Sequence, residues 1–303
     1  MVYRVNNMSK QILLIVNPNA GKGKVQKRIP EIKEDLIKTG YDVDIVSTQK
    51  NFSAKDIIRK YNKKIDIIIC CGGDGTINDL VSAVMNLDDK PKISFIPLGT
   101  INDFARTIGL SRKKFFTKGI LKKYVEKKSD IGKINEKYFN YVAAFGALTA
   151  VSYVTSQKLK KCFGKFAYFI VGVKYLFKIK NYKIKLDIDG EKIEQECIYG
   201  SVSNSKSIGG FQWFRKRDIE INDGKFEVIL IKTPKHKLKY LSIVFDILLK
   251  RYQSKNFFYK QGSNIEIYSE KCIPWTVDGE FEGRTKEAKI SNCKEAVTYI
   301  IPK

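Results

Sequence analysis

Cys71-Gly72-Gly73-Asp74-Gly75-Thr76 follows the apolar run Ile65-Asp66-Ile67-Ile68-Ile69 and opens a helical pattern. Glycines strip side chains from such a loop, so backbone N–H groups can approach phosphate oxygens, and the helix N-terminus adds a favourable dipole. Asp74 cannot grip an anion itself. A carboxylate there suits a Mg²⁺ ion or the ordering of the loop. Alone, the segment reads equally well as a glycine-rich turn without a ligand. A second loop, Asn17-Pro18-Asn19-Ala20-Gly21-Lys22-Gly23-Lys24, ends the first apolar strand, where parallel sheets bind ligands, and lacks the Walker A spacing. A third, Pro97-Leu98-Gly99-Thr100-Ile101-Asn102-Asp103-Phe104, ends another strand with polar side chains able to cap a helix or hold a nucleotide. Three such loops at strand ends argue for a phosphorylated ligand.

Two later segments carry acidic groups on turn-forming sequence: Asn222-Asp223-Gly224 and Asp278-Gly279-Glu280. Read alone, both are hairpin turns. The single histidine, His236, lies in the basic stretch Thr233-Pro234-Lys235-His236-Lys237 and reads as a surface residue. No nucleophile elbow or zinc-binding spacing is present, which excludes the common hydrolase and metalloprotease patterns. The six cysteines form no CxxC pair and read as reduced, packed thiols.

The elements that must position these loops follow from periodicity. Up to residue 127, short apolar runs alternate with polar-periodic stretches, which predicts an open, mostly parallel α/β sheet. Strands are expected at Ile12–Val16, Asp42–Ser47, Ile65–Cys71 and Ile93–Pro97, and helices at Lys24–Thr39, Ser53–Tyr61, Thr76–Met85 and Asn102–Ile108. From residue 128 to 303 the pattern turns β-rich, with strands expected at Tyr182–Ile188, Glu194–Val202, Phe226–Lys232, Asn264–Tyr268 and Trp275–Val277. This second domain reads as a sandwich whose final segment can return to the first domain. Lys137 to Leu186 holds ten Lys and no Asp or Glu, and a long basic amphipathic helix is its simplest reading.

The chain has 303 residues and a formal charge of +24, so an anionic partner or substrate is expected. At 43% hydrophobic residues it has ample material for a core, which excludes a disordered chain. Neither Phe166–Phe177 nor Tyr240–Leu249 is long enough to span a bilayer, and no secretory leader is expected.

The motifs taken together resemble the diacylglycerol kinase catalytic-domain family of lipid kinases, which includes bacterial diacylglycerol kinases and the sphingosine and ceramide kinases. The resemblance rests on Asn17-Pro18-x-x-Gly21, Gly72-Gly73-Asp74-Gly75-Thr76-x-Asn78, Pro97-x-Gly99-Thr100-x-Asn102-Asp103-Phe104-Ala105-Arg106, Asp223-Gly224 and Asp278-Gly279-Glu280, in that order. It implies an α/β nucleotide-binding domain followed by a β-sandwich, with transfer of the ATP γ-phosphate to a lipid hydroxyl, by default that of diacylglycerol. It also implies ATP contacts at Asn17, Pro18, Asn19, Ala20, Gly21, Thr48, Gly73, Asp74, Gly75, Thr76, Ile77, Asn78, Asp79 and Thr100. Glu280 becomes the general base and Asp74 the group serving nucleotide-bound Mg²⁺. A second, structural Mg²⁺ falls to Asp223 with the backbone carbonyls of Glu220 and Lys225. The chain departs from the family just upstream, where Arg215-Lys216-Arg217-Asp218-Ile219-Glu220 lacks the usual proline.

Reduced thiols point to the cytoplasm, and a lipid acceptor to peripheral association with the inner face of the cell membrane. The lysines of the Lys158–Lys185 stretch then read as contacts to an anionic membrane surface, and Phe211-Gln212-Trp213-Phe214 with Arg215-Lys216-Arg217 as an aromatic and basic pair suited to an interface. Sphingoid bases, monoacylglycerol and NAD stay open as acceptors, and a homodimer stays open as the oligomeric state. A nucleic-acid-binding protein is the rival of a different class, because charge and aromatics are also its footprint. No nucleic-acid fold signature supports it, so no nucleic-acid partner is expected. Met8 reads as an alternative start, since the family pattern begins near Ser9.

Overall fold

The computed structural model describes residues 10–23, 26–99, 102–110, 121, 123–146, 180–208, 211–212, 219–236 and 239–302. Two compact units emerge, Met1–Ser129 with Ala296–Lys303, and Asp130–Glu295. Met8, Thr100, most of the Lys158–Lys185 stretch and the 213–217 part of the aromatic-basic pair lie outside the described residues.

In the first unit, β1 (Gln11–Val16), β2 (Asp42–Ser47), β3 (Ile67–Gly72) and β4 (Lys92–Pro97) pair in the order β2-β1-β3-β4, every ladder parallel. Strands β1, β3 and β4 are near-continuous Ile, Leu, Val, Cys and Phe because helices cover both faces of such a sheet. Edge strand β2 is only half-buried, which fits its two aspartates. Near the end of the chain, Tyr299 pairs in parallel with Ile93 and its ring meets Phe104 at 5.0 Å.

Helix α1 occupies Ile29–Ile37 rather than the expected Lys24–Thr39. Pro30 decides this: it lacks an N–H and is tolerated only in a first turn, so the chain before it forms two short 3₁₀ turns, Ala20–Gly23 and Gln26–Arg28. Helix α2 (Ala54–Lys60) starts on a capping box in which Ser53 and Asp56 satisfy each other's backbone N–H. Helix α3 (Asp74–Val84) begins directly on the Gly72-Gly73 loop and α4 (Asp103–Ile108) on the loop that follows Pro97.

The second unit is antiparallel throughout its described ladders. Its strands are β5 (Tyr124–Ile134, entering from the first unit), β6 (Lys137–Phe139), β7 (Val142–Gly146), β8 (Tyr182–Ile188), β9 (Glu191–Ser203), β10 (Ser207–Ile208), β11 (Phe211–Gln212), β12 (Phe226–Lys232), β13 (Phe257–Gly262), β14 (Asn264–Val277) and β15 (Glu280–Pro302, leaving for the first unit), with helix α5 (Lys239–Leu248) between β12 and β13. Long strands β9 and β14 each change partner midway. β9 pairs with β8 over Glu191–Cys197 and with β7 over Tyr199–Ser203, while β14 pairs with β8 near Ile265–Ser269 and with β7 at Trp275–Val277. The ladders thus close around one core of Phe139, Phe145, Leu186, Phe226, Ile267 and Trp275. Strict alternation along β8 and over the first six residues of β14 turns one face inward and the other to solvent.

Among the described ladders, parallel pairing is confined to the first unit and antiparallel pairing to the second. One expectation is corrected. The basic stretch from Lys137 to Leu186 is not one helix: Lys137–Phe139, Val142–Gly146 and Tyr182–Leu186 are strand. Charge content ignores period, and the alternation of Ile184 and Leu186 with Lys183 and Lys185 is that of a strand.

Candidate active site

Three loops meet at the carboxyl edge of the parallel strands. Asn17, just past β1, donates its backbone N–H to the Cys71 carbonyl (2.8 Å) and its Nδ2 to Thr76 Oγ1 (3.1 Å). Its Oδ1 accepts the Asn19 N–H at 3.0 Å, so one side chain shapes its own loop and ties it to the next. Leu98 N–H bonds the Gly72 carbonyl at 2.7 Å. Thr48, just past β2, donates its N–H to the Val16 carbonyl, which places it beside the Asn17 loop.

The glycines are required by proximity. A Cβ on Gly72 would lie 2.6 Å from the Thr76 side chain, and one on Gly99 would lie 2.9 Å from the Gly73 Cα and 2.6 Å from Asn102 Oδ1. The Gly72-Gly73 loop and the Gly99 loop therefore touch backbone to backbone, as a surface that must lie flat against phosphate requires. Thr76 and Ile77 are buried, and Ile77 turns wholly into the core, so it offers a ligand only its backbone. Thr100 lies outside the described residues.

Asp74 is the electrostatic centre of this edge. Its carboxylate accepts backbone N–H groups of Asn102, Asp103 and Phe104, so it caps α4, whose own cap residue Asn102 sits in the left-handed region and makes no side-chain cap. Its Oδ1 is buried without a hydrogen-bond partner. Burial first, and the neighbouring Asp103 carboxylate second, push Asp74 up to about 6. Asp103 is itself buried, with Arg106 Nη1 3.8 Å from its Oδ1. An unpartnered carboxylate oxygen beside a second acid is a fitting place for a divalent cation.

In the second unit, Asp278 and Gly279 have φ of 48° and 89° and join β14 to β15 as a two-residue hairpin, with Val277 opposite Glu280. Glu280 is exposed, and so is Phe281 beside it. The turn is more than a surface reversal. Asp278 is buried and accepts the backbone N–H groups of Asn140 (2.7 Å), Tyr141 (3.0 Å) and Val142 (3.0 Å), while Tyr141 Oη donates to its carbonyl at 3.0 Å. Asp278→Ala strands three buried amides. It is expected to cost about 3–5 kcal/mol in urea unfolding, since hydrogen bonds to a charged acceptor are worth about 1.5–3 kcal/mol each and do not add fully. A loss under about 1 kcal/mol would mean that water replaces the carboxylate.

Asp223 is half-buried, and its Oδ1 accepts the Lys225 N–H at 2.9 Å. The neighbouring anchor is Asp130, fully buried, which accepts the N–H groups of Gly224 and Glu295 at 2.7 Å and Asn292 Nδ2 at 3.2 Å. Asn204 Nδ2 bonds the carbonyls of Asp130 and Ile221, leaving its Oδ1 and that of Asn292 buried and unpartnered. Glu227 is also buried here, pushed up to about 8 by desolvation. Among the described residues no three Asp, Glu, His or Cys gather to hold a metal. A cation at Asp223 would instead rest on that carboxylate and on carbonyl oxygens, for which the spare oxygens around Asp130 are the right type. Asp103 stood within a recognised motif, whereas Asp130 and Asn204 carried no sequence signal: nothing in Ser129-Asp130-Ile131 distinguishes a buried acid from an exposed one.

Comparison with known proteins agrees in both halves. Residues 11–134 match the diacylglycerol kinase catalytic domain, and residues 142–296 match the YegS C-terminal NAD kinase beta sandwich-like domain. A diacylglycerol kinase of Staphylococcus carnosus (strain TM300) is 31% identical over 299 residues, covering 98% of this chain and 96% of the relative. One from Staphylococcus aureus (strain MRSA252) is 31% identical over 280 residues, covering 91% and 88%. A crystal structure from Bacillus anthracis str. Sterne superposes with a TM-score of 0.80 at 25% identity, covering 96% of this chain and 97% of that one.

Proposed function

The chain belongs to the diacylglycerol kinase catalytic-domain family and is an ATP-dependent lipid kinase, and from that premise we propose that its acceptor is the free hydroxyl of diacylglycerol, giving phosphatidic acid. The observation that carries this reading is the meeting of three side-chain-poor loops at one sheet edge around Asp74, whose inner oxygen lacks a partner. Both staphylococcal relatives described above bear that activity in their names.

In this reading the backbone of Asn17–Gly21 and Gly73–Asp79, with Thr48 and Thr100, holds the nucleotide phosphates. Kinases of this family work with a divalent cation, here proposed to be Mg²⁺, which neutralises charge developing on the transferred group. Asp74, with Asp103 beside it, would hold that ion. A second ion at Asp223, with the Glu220 and Lys225 carbonyls, would brace the turn that Asp130 also anchors. Glu280 takes the proton from the lipid hydroxyl as it attacks, and Asp278 fixes the hairpin that presents it. The enzyme works at the inner face of the membrane, where its lipid resides.

A radiolabelled-ATP panel over diacylglycerol, sphingosine, ceramide, monoacylglycerol and NAD tests the acceptor. Diacylglycerol is expected to exceed every other acceptor at least tenfold in kcat/KM. A stronger signal from any other member would reassign the substrate.

A further inference from the structure

Helix α5 is mounted inside out. Its acidic residue Asp246 faces inward, buried, where it accepts hydrogen bonds from Ser254 Oγ and from Asn256 Nδ2 (2.7 Å), and Asn256 Nδ2 also reaches Ser242 Oγ at 2.9 Å. Ile243 packs inward beside it. Its other side shows Leu241, Phe245 and Leu249 to solvent, at 47%, 62% and 54% exposure. Spaced by four, these three lie along one stripe of the helix, so they form a continuous apolar strip.

The rotation is locked. Past the helix, Leu249 N–H bonds the Phe245 carbonyl, Lys250 N–H bonds Ile247 and Arg251 N–H bonds Asp246, a Schellman ending with Lys250 at φ 56°. A helix anchored from the inside by Asp246, with Leu and Phe outside, needs an apolar cover on that strip. The charge around it says which cover. Residues 233–256 contain six Lys or Arg (positions 235, 237, 239, 250, 251 and 255) against the single acid Asp246, which is turned inward. Lys235, Arg251 and Lys255 are exposed. An apolar strip with cations at both helix ends, and no surface acid within residues 233–256, matches a bilayer interface whose headgroups are anionic.

We propose that α5 is the membrane-docking element, lying in the plane of an anionic lipid surface with Leu241, Phe245 and Leu249 inserted among the acyl chains. This rests on the lipid-kinase reading, because it supplies the route by which the site reaches a hydroxyl held in a bilayer. It places a membrane contact apart from the Lys158–Lys185 stretch, on a helix whose apolar strip is exposed.

The test is co-sedimentation of the full chain with vesicles of 70% phosphatidylcholine and 30% phosphatidylglycerol, against pure phosphatidylcholine. The parent is expected to prefer the anionic vesicles and to release as salt rises. Leu241→Gln, Phe245→Gln and Leu249→Gln combined should bind at least tenfold less, with unchanged turnover on diacylglycerol in neutral detergent micelles. A Phe245→Trp variant should gain blue-shifted fluorescence on vesicles, quenched by brominated acyl chains, and it reports insertion even if the triple variant folds poorly. Equal vesicle binding by parent and triple variant, or fluorescence of the Phe245→Trp variant that brominated chains leave unquenched, overturns the proposal. A parent dimer that becomes monomeric in the triple variant also overturns it, because a second copy then covers the strip. Failure of the underlying reading shows separately, as a parent that phosphorylates no micellar diacylglycerol while vesicle binding still depends on the strip.

Discussion

Glu280→Gln is expected to slow single-turnover lipid phosphorylation by about 10² to 10⁴, or roughly 3 to 5 kcal/mol of barrier, with ATP affinity preserved. Glutamine keeps the size and can still accept a hydrogen bond, but it cannot remove a proton. The position favours a clean result. Glu280 is exposed at the first residue of β15, and its hairpin is held by the buried Asp278 carboxylate, so the substitution removes no anchor. Nucleotide contacts are assigned to loops of the first unit, so nucleotide affinity measured on the same protein is the internal control. A mutant with near-parental turnover would remove Glu280 as the base. Lost ATP affinity or a lowered melting temperature would instead make it structural.

Asp74→Asn should separate function from stability in opposite directions. Phosphoryl transfer is expected to fall by about 10³ or more, because losing a cation ligand forfeits several kcal/mol of charge stabilisation. Stability of the metal-free protein should rise. Asp74 is pushed up from 3.8 to about 6, chiefly by burial and then by Asp103, so its ionised form is disfavoured by folding. The sign follows from proton counts. Between about pH 4 and 6 the folded chain holds a proton that the unfolded chain has lost, so stability falls as pH rises through that window and is flat above it. The deficit is on the order of 2–3 kcal/mol, and asparagine removes it while keeping an amide oxygen able to take the capping position on α4. Urea midpoints at pH 4 and pH 8 should differ less for the mutant than for the parent. A mutant that is less stable at pH 8 and still active would assign Asp74 to loop structure alone.

The loops and the period of most elements around them are legible in local sequence. Glycines at the ends of apolar runs are local signals, and so are the alternation of β8 and the capping box at Ser53, since each depends on neighbours within a few residues. Family membership was equally legible, because its motifs are short and contiguous. The start of α1 is legible too, in Pro30, which a helix tolerates only in its first turn. What the tertiary structure decided depends on residues far apart in the chain. Strand β15, 23 residues long, was hidden because its solvent face of Lys and Glu blurs the alternation. Asp278 is 137 residues from Tyr141, whose N–H it accepts, and Asp130 is 165 residues from Glu295. Asp74 became a helix cap only when β3 and β4 lay side by side, and Asp246 turned inward only when Asn256 came back to meet it. A buried acid survives on the partners that replace its water, and those partners are brought to it by the fold rather than by its place in the chain.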